Sequence, residues 1–480
     1  MKGLWTSALL ALTLTTGCGE WLAGKPVAVG PWQQTREIVA LVPSGPTTLF
    51  VDAAGVHAGF EYDLVNEFAS RHGLKLRFAL ASSRAEALER LRRGEAHLAA
   101  GVWRNERSGD VFGPVYQKIE PVLVHAPEVS DDVLAQLRSG RLGLDVLLEH
   151  ASAVARLKAH ESGLPHEIAE GANGEALFKR VARGELQAAL VDAYTADMMH
   201  NAFPQVRIVR DVAGPQELAW GLRSGDERLA EMVEEFFSQS ASLISRLNER
   251  YYGHINRVDM ADALAFEKRR ETRLPALRKW FHEAEAQTGI DWRLIAALGY
   301  QESHWDQEAI SPHGVRGIMM LTADTARALG VDRLDPYQSI MGGARYMRRM
   351  IEMIPERIAE PDRTWLGLAA YNVGIAHLED ARILTARLKK NPDSWADVKT
   401  VLPLLDEPEY FNTLKYGYAR GGEPVIFVES LRTYFDILAR FEKPLPGLSL
   451  AGISPAREAA QYDGIRAPAA RSGETAAVIL

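Results

Sequence analysis

Cysteine is nearly absent: Cys18 stands alone among 480 residues. One thiol cannot close an intrachain disulfide, which excludes a disulfide-framed fold. Basic blocks are missing too, and 55 Lys and Arg against 63 Asp and Glu leave a net charge of -8. A nucleic-acid partner needs a positive footprint to neutralise phosphates, so none is expected. The same balance gives no electrostatic hold on anionic lipid. The apolar run Leu4 to Leu14 falls far short of the ~20 residues that cross a bilayer. No glycine-rich phosphate loop of the required form occurs. His304, His313 and His377 sit in separate segments without ligand spacing, so neither metal nor cofactor is expected. What is present is ordinary: 47% hydrophobic and 25% charged residues exclude wholesale disorder. The length favours two or three domains.

The first residues bear on location. Met1-Lys2 followed by Leu4 to Leu14 has the size and polarity of a signal-peptide core. The run closes on Leu14-Thr15-Thr16-Gly17-Cys18, which resembles a bacterial lipoprotein processing site. That resemblance implies a signal over residues 1–18, a lipidated Cys18, and a mature chain anchored at the periplasmic face of the outer membrane. Two or three acyl chains anchor stably where one binds only marginally. The alternative is an ordinary secretory signal in which Cys18 is incidental.

From about Glu37 to Tyr252 short β-rich runs alternate with helical patterns. Ile38 to Val42, Leu74 to Leu80 and Leu98 to Val102 read as strands, and Tyr62 to Phe68 and Ala85 to Leu91 as helices. The cycle restarts at Leu142 to Val146 and at Ala188 to Val191. Strand–helix alternation at this spacing predicts βαβ units with parallel sheets, in two lobes in series. Leu229, Met232, Val233, Phe236 and Phe237 fall at helical spacing and predict a helix that closes the unit. The expected boundaries are an α/β domain over 37–256 and a charged connector over 257–273. A mostly α domain follows over 274–441, and then a disordered tail over 442–480 that lacks apolar periodicity.

In the α region Asp291 can cap a helix. Glu302 lies four, seven and eight residues after Leu298, Ile295 and Leu294, and so shares their buried stripe. Apolar surroundings disfavour the ionised carboxyl and raise its pKa. A carboxylic acid kept neutral can protonate a leaving-group oxygen. A buried Glu paired to an Arg would show the same spacing, so position alone makes Glu302 a candidate acid.

The neighbouring motifs say more. Glu302-Ser303-His304-Trp305 is followed by Ser311 to Leu321, then Ala369-Ala370-Tyr371-Asn372-Val373-Gly374 and Tyr416-Gly417-Tyr418-Ala419-Arg420-Gly421-Gly422-Glu423. In this order they resemble the soluble-lytic-transglycosylase catalytic domain, over roughly Leu274 to Phe441. The resemblance implies a lysozyme-like α fold and peptidoglycan glycan strands as substrate. It also implies cleavage of the β-1,4 bond between N-acetylmuramic acid and N-acetylglucosamine with formation of a 1,6-anhydromuramyl end. It assigns Glu302 as catalytic acid and then base. Ser303 would contact the acetamido or lactyl group, and Met319 and Met320 would form a floor under the sugars. Tyr371 and Asn372 would line the cleft, and Tyr418 would close its far wall. Each has a plainer reading: a helix-end hydroxyl bonded to its own backbone for Ser303, gap filling for the methionines, and core or loop packing for the others.

The α/β region carries Gly59-Phe60-Glu61-Tyr62-Asp63-Leu64, Leu91-Arg92-Arg93-Gly94, Arg107 through Tyr116, and Gly184 through Asp192. These resemble the periplasmic solute-binding proteins for amino acids, and imply Arg107 on a ligand carboxylate and Asp192 on its amino group. A peptidoglycan stem peptide is the ligand expected to modulate the α domain through lobe closure. Two inconsequential surface ions are the alternative for Arg107 and Asp192. Three function classes follow: a transglycosylase with a regulatory binding domain, a solute receptor, and a non-catalytic peptidoglycan or muropeptide receptor. The first alone uses both halves of the chain.

Overall fold

A computed structural model describes residues 28–445, except 44–47, 52–56, 105–108, 131, 148–149, 155–156, 158–165, 170–172, 256–257 and 312–313. Cys18, Arg107 and residues 446–480 of the expected tail therefore lie outside the described residues.

The first sheet orders its strands Lys75–Ala81, Glu37–Pro43, Leu98–Trp103, Gln216–Leu222 and Val111–Phe112. Glu37–Pro43 reads as a continuous apolar run because both its faces are covered. Ile38, Ala40 and Val42 pack with Phe60, Leu64 and Phe68 of the Phe60–Arg71 helix. Val39 and Leu41 face Leu88 and Leu91 of the Arg84–Arg92 helix. The helix Glu227–Ser238 closes this lobe through Leu229, Met232, Val233, Phe236 and Phe237, as its spacing predicts.

The second sheet runs Glu167–Ile168, Asp145–Val146, Ala188–Asp192, Pro121–His125 and Arg207–Val209. Ala188 and Leu190 serve one apolar cluster and Ala189 and Val191 the other. The sheets are mixed rather than parallel as the alternation predicts. The chain leaves the first sheet after Gln117–Ile119 and enters the second at Pro121–His125, which pairs antiparallel with Ala188–Asp192. It returns as Gln216–Leu222, antiparallel to Leu98–Trp103. Two such crossings join the lobes, and a strand that arrives from the other lobe carries no helix to turn it parallel.

The region expected to be a connector is instead mostly helix, Met260–Thr272, started by Asp259, whose Oδ1 accepts from the Asp262 N–H at 2.8 Å. Lys268 and Glu271 line the solvent side, but Ala263 and Phe266 share an inner face. Phe266 is fully buried against Tyr300, Trp305 and Tyr434. Helices Leu274–Thr288, Trp292–Ser303, Pro336–Met353, Asp362–Val373, Ile375–Arg387 and Gly422–Phe441 then enclose one apolar core around Phe281, Trp292, Leu298, Leu366 and Phe427.

The halves meet at the end of the Ala241–Tyr252 helix. The Arg250 guanidinium pairs with Asp63 of the first lobe at 2.9 Å and with buried Asp362 at the head of the Asp362–Val373 helix. Thr433 donates its hydroxyl to the His254 carbonyl at 3.0 Å, and Asn201 of the second lobe donates to the Ile255 carbonyl at 2.7 Å. Among the described residues no helix is long and apolar enough to cross a membrane.

Candidate active site

The Trp292–Ser303 helix begins where Asp291 Oδ1 accepts from the Arg293 N–H at 2.8 Å, a side-chain cap. It ends with two successive left-handed residues, His304 (φ 53) and Trp305 (φ 58). This costly reversal is held by the Trp305 indole, which donates to the Ala296 carbonyl at 2.8 Å and packs on Phe266 and Tyr300. Glu302 is thereby fixed in the last turn. Burial pushes its carboxyl up from 4.5 to about 8, with no other cause. No group among the described residues hydrogen-bonds that carboxyl. The Tyr371 phenol is raised first by burial and next by the charge of Glu302, which makes the two neighbours.

Three hydroxyls fix the turn 317–320 beside Glu302. Ser303 donates to the Ile318 carbonyl at 2.9 Å and to Gly299 of its own helix at 3.1 Å. Tyr371 donates to the Met319 carbonyl at 3.0 Å. Ser339, fully buried in the Pro336–Met353 helix, accepts from the Met319 N–H at 3.2 Å. The hydroxyls that resemblance gives to the sugar are thus engaged inside the protein. Met319 is 0% exposed, sunk in a slot where a Cβ on Gly343 would lie 2.6 Å from its Cβ. Of the two methionines only Met320, at φ 43, keeps part of its surface open. Gly317 begins this turn at φ 89, and a Cβ there would stand 2.0 Å from the Arg333 carbonyl oxygen. Asn372 is buried beside Tyr371 in the last turn of the Asp362–Val373 helix. Tyr418 lies open at 56% exposure, edge-on to Phe411. Ser339 is absent from the motif reading, although a small polar residue four positions before Gly343, on an apolar helix face, marks it.

In the α/β half Asp192 is buried and committed locally. Its oxygens accept from the Thr195 N–H at 2.9 Å and the Thr195 hydroxyl at 2.8 Å, capping the Ala193–Ala202 helix. Tyr194 stacks on Tyr252 at 4.2 Å, and Tyr252 stacks in turn on Phe60 of the first lobe. Behind Phe60, Glu61 accepts from the Tyr116 hydroxyl at 2.6 Å, and burial pushes its carboxyl up to about 7. Among the described residues no cluster of His, Cys, Asp and Glu could hold a metal ion.

Residues 38–254 match the bacterial extracellular solute-binding proteins, family 3, and residues 279–393 match the transglycosylase SLT domain. A membrane-bound lytic murein transglycosylase F of Methylobacillus flagellatus is 42% identical over 445 residues, 90% of this chain and 93% of that one. Its counterpart in Nitrosospira multiformis is 39% identical over 444 residues, 89% and 91% of the two chains. Among solved structures, Tv2483 bound to L-arginine aligns at a TM-score of 0.41 and 16% identity, covering 46% of this chain and 93% of that one. A solute receptor for L-cysteine of Neisseria gonorrhoeae aligns at a TM-score of 0.40 and 20% identity, covering 46% and 91%.

Proposed function

The chain belongs to the membrane-bound lytic murein transglycosylase F family, and we propose that Glu302 is the single carboxyl group on which its reaction turns. The enzyme is a peptidoglycan lytic transglycosylase with a solute-binding-protein-like domain in front of its catalytic one. The observation that carries the assignment is a carboxyl held neutral at pH 7 by burial alone, at the end of a rigid helix. Neutral Glu302 protonates the glycosidic oxygen as the bond to the muramyl C1 breaks. The carboxylate so formed accepts the proton of the muramyl C6 hydroxyl, whose oxygen closes on C1 to give the 1,6-anhydro end. No water is consumed. A two-carboxylate glycosidase would need a second acid as nucleophile or base, whereas burial alone shifts Glu302. Ser303 and Tyr371 act through the turn 317–320 they hold, with Met320, Asn372 and Tyr418 nearest the sugars. Digestion of purified murein, with products identified by mass spectrometry, tests this. Anhydromuramyl ends from the wild type and none from Glu302→Gln are expected, and equal yields from both would remove Glu302 from its role.

The α/β domain serves as a sensor for a peptidoglycan stem peptide, with Arg107 and Asp192 as its ligand contacts. The motive is the junction at Arg250. Its two carboxylate partners belong to the first lobe and to the helix that carries Tyr371 and Asn372 at its other end. Calorimetry with a stem tetrapeptide is expected to show binding that Asp192→Ala weakens, and no heat with the full chain would refute it. Cys18 anchors the mature protein to the periplasmic face of the outer membrane. Cys18→Ala is expected to release it from the membrane fraction, and unchanged fractionation would count against the anchor.

A further inference from the structure

The turn 415–418 is held far more firmly than its exposure requires. Asp380, 1% exposed in the Ile375–Arg387 helix, accepts from the backbone N–H groups of Lys415 at 3.3 Å and Tyr416 at 2.7 Å. A carboxylate is costly to bury unless its oxygens are satisfied, and this one spends both on the backbone of a single turn. From the same helix Arg387 donates to the Thr413 carbonyl at 3.3 Å and to its hydroxyl at 3.2 Å. What the turn presents is aromatic: Tyr416 remains 48% exposed. The Lys415 ammonium lies 4.9 Å from the Tyr416 ring centroid, a cation–π contact. His377 meets the ring edge-on at 6.4 Å. Burial lowers the pKa of His377, and its Nδ1 is itself buried, without a hydrogen-bond partner among the described residues.

Position ties this cluster to the cleft. His377 sits in the first turn of its helix, five residues beyond Asn372 and across the break at Gly374. Five residues span at most ~17 Å even when extended. The substrate is a polymer that continues past the scissile bond and carries anionic stem peptides, while the chain as a whole has a net charge of -8. An open aromatic face beside a lone ammonium suits such a strand locally where the overall charge does not.

We propose that Tyr416, Lys415 and His377 form a further substrate subsite, resting on the reading of Glu302 above. The Tyr416 ring takes the face of a sugar remote from the cleaved bond, Lys415 pairs with a stem-peptide carboxylate, and His377 backs the ring edge-on. Asp380 is the positioning residue that keeps the turn in place.

The test uses the full chain on two substrates, long peptide-bearing glycan strands and a short fragment spanning only the scissile bond. Tyr416→Ala is expected to raise KM for the long strands about fivefold, the worth of one aromatic contact, with kcat and the short-fragment kinetics unchanged. Tyr416→Phe is expected to restore KM. Lys415→Gln is expected to weaken peptide-bearing strands and leave peptide-stripped ones unaffected. Equal losses on short and long substrates, or no change on either, would overturn the subsite. Retention of uncleaved strands by Glu302→Gln, with and without Tyr416→Ala, reads the same contact without catalysis. A subsite that fails there while murein is still cleaved refutes this inference alone.

Discussion

Replacing Glu302 by Gln keeps the shape of the side chain and removes its titration. The carboxyl is pushed from 4.5 to about 8 by burial, so between those pH values the folded protein holds a proton that the unfolded chain has lost. Stability therefore falls as pH rises through this window, because the folded state binds more protons. The contribution is complete below pH 4.5 and exhausted above about pH 8. Each unit is worth ~1.4 kcal/mol, which makes the loss by pH 7 at most about 3.5 kcal/mol. Glu302 keeps part of its surface open to water, which lowers this to roughly 2 kcal/mol.

Thermal unfolding of the two proteins between pH 5 and pH 8 measures it. Near pH 5 they are expected to melt together, and by pH 7 the Gln variant should melt higher by roughly 4 to 8 °C in the helical-domain transition. Glu61, pushed up to about 7 by burial, adds a slope of the same sign to both proteins and cancels in the difference. In the wild type kcat/KM should fall as pH rises through about 8, where the acid form is lost. A melting difference that stays constant from pH 5 to pH 8 would refute the claim that burial alone holds Glu302 neutral.

Ser339→Ala strips the acceptor from the buried Met319 N–H and is expected to cost about 1–3 kcal/mol. It should also lower kcat/KM through the loosened turn, and a melting curve and activity equal to wild type would count against it. Gly317→Ala brings a Cβ to 2.0 Å from the Arg333 carbonyl oxygen. Loss of activity with a lowered Tm is expected, and an undisturbed variant would show that the turn can move. Glu429 is fully buried between Lys399 at 2.9 Å and Arg432 at 3.0 Å. Burial alone would raise its carboxyl, but the two cations outweigh it and hold it down at about 2. Its stabilising share is complete above pH 4.5 and lost as pH falls toward 2. Glu429→Gln should cost about 3–5 kcal/mol at pH 7 by leaving buried Arg432 without its carboxylate, while Lys399 keeps Glu249, read by denaturant unfolding.

The burial of Glu302 is legible in sequence because the partners that bury it lie four, seven and eight residues away on one helix. Glu37–Pro43 is legible for a similar reason, since a strand covered on both faces has no polar alternation to break its apolar run. Ser303 and Tyr371 are not, because the groups they meet are the carbonyls of Ile318 and Met319. Every residue has a backbone carbonyl, so nothing in a motif reveals which one the fold will deliver to a hydroxyl. The connector misleads through its charges, because the single inward Phe266 outweighs them once Tyr300 and Tyr434 are in place. Arg250 has no local signal, since its partners lie 187 and 112 residues away. These unreadable contacts bear directly on the chemistry. A hydroxyl bonded to Glu302 would compete with the sugar oxygen for its proton and would pull its pKa down by stabilising the carboxylate. The nearby hydroxyls are directed instead onto the backbone of the 317–320 turn. The carboxyl is left neutral and without a protein hydrogen-bond partner among the described residues, the state in which a lone acid transfers its proton to the substrate.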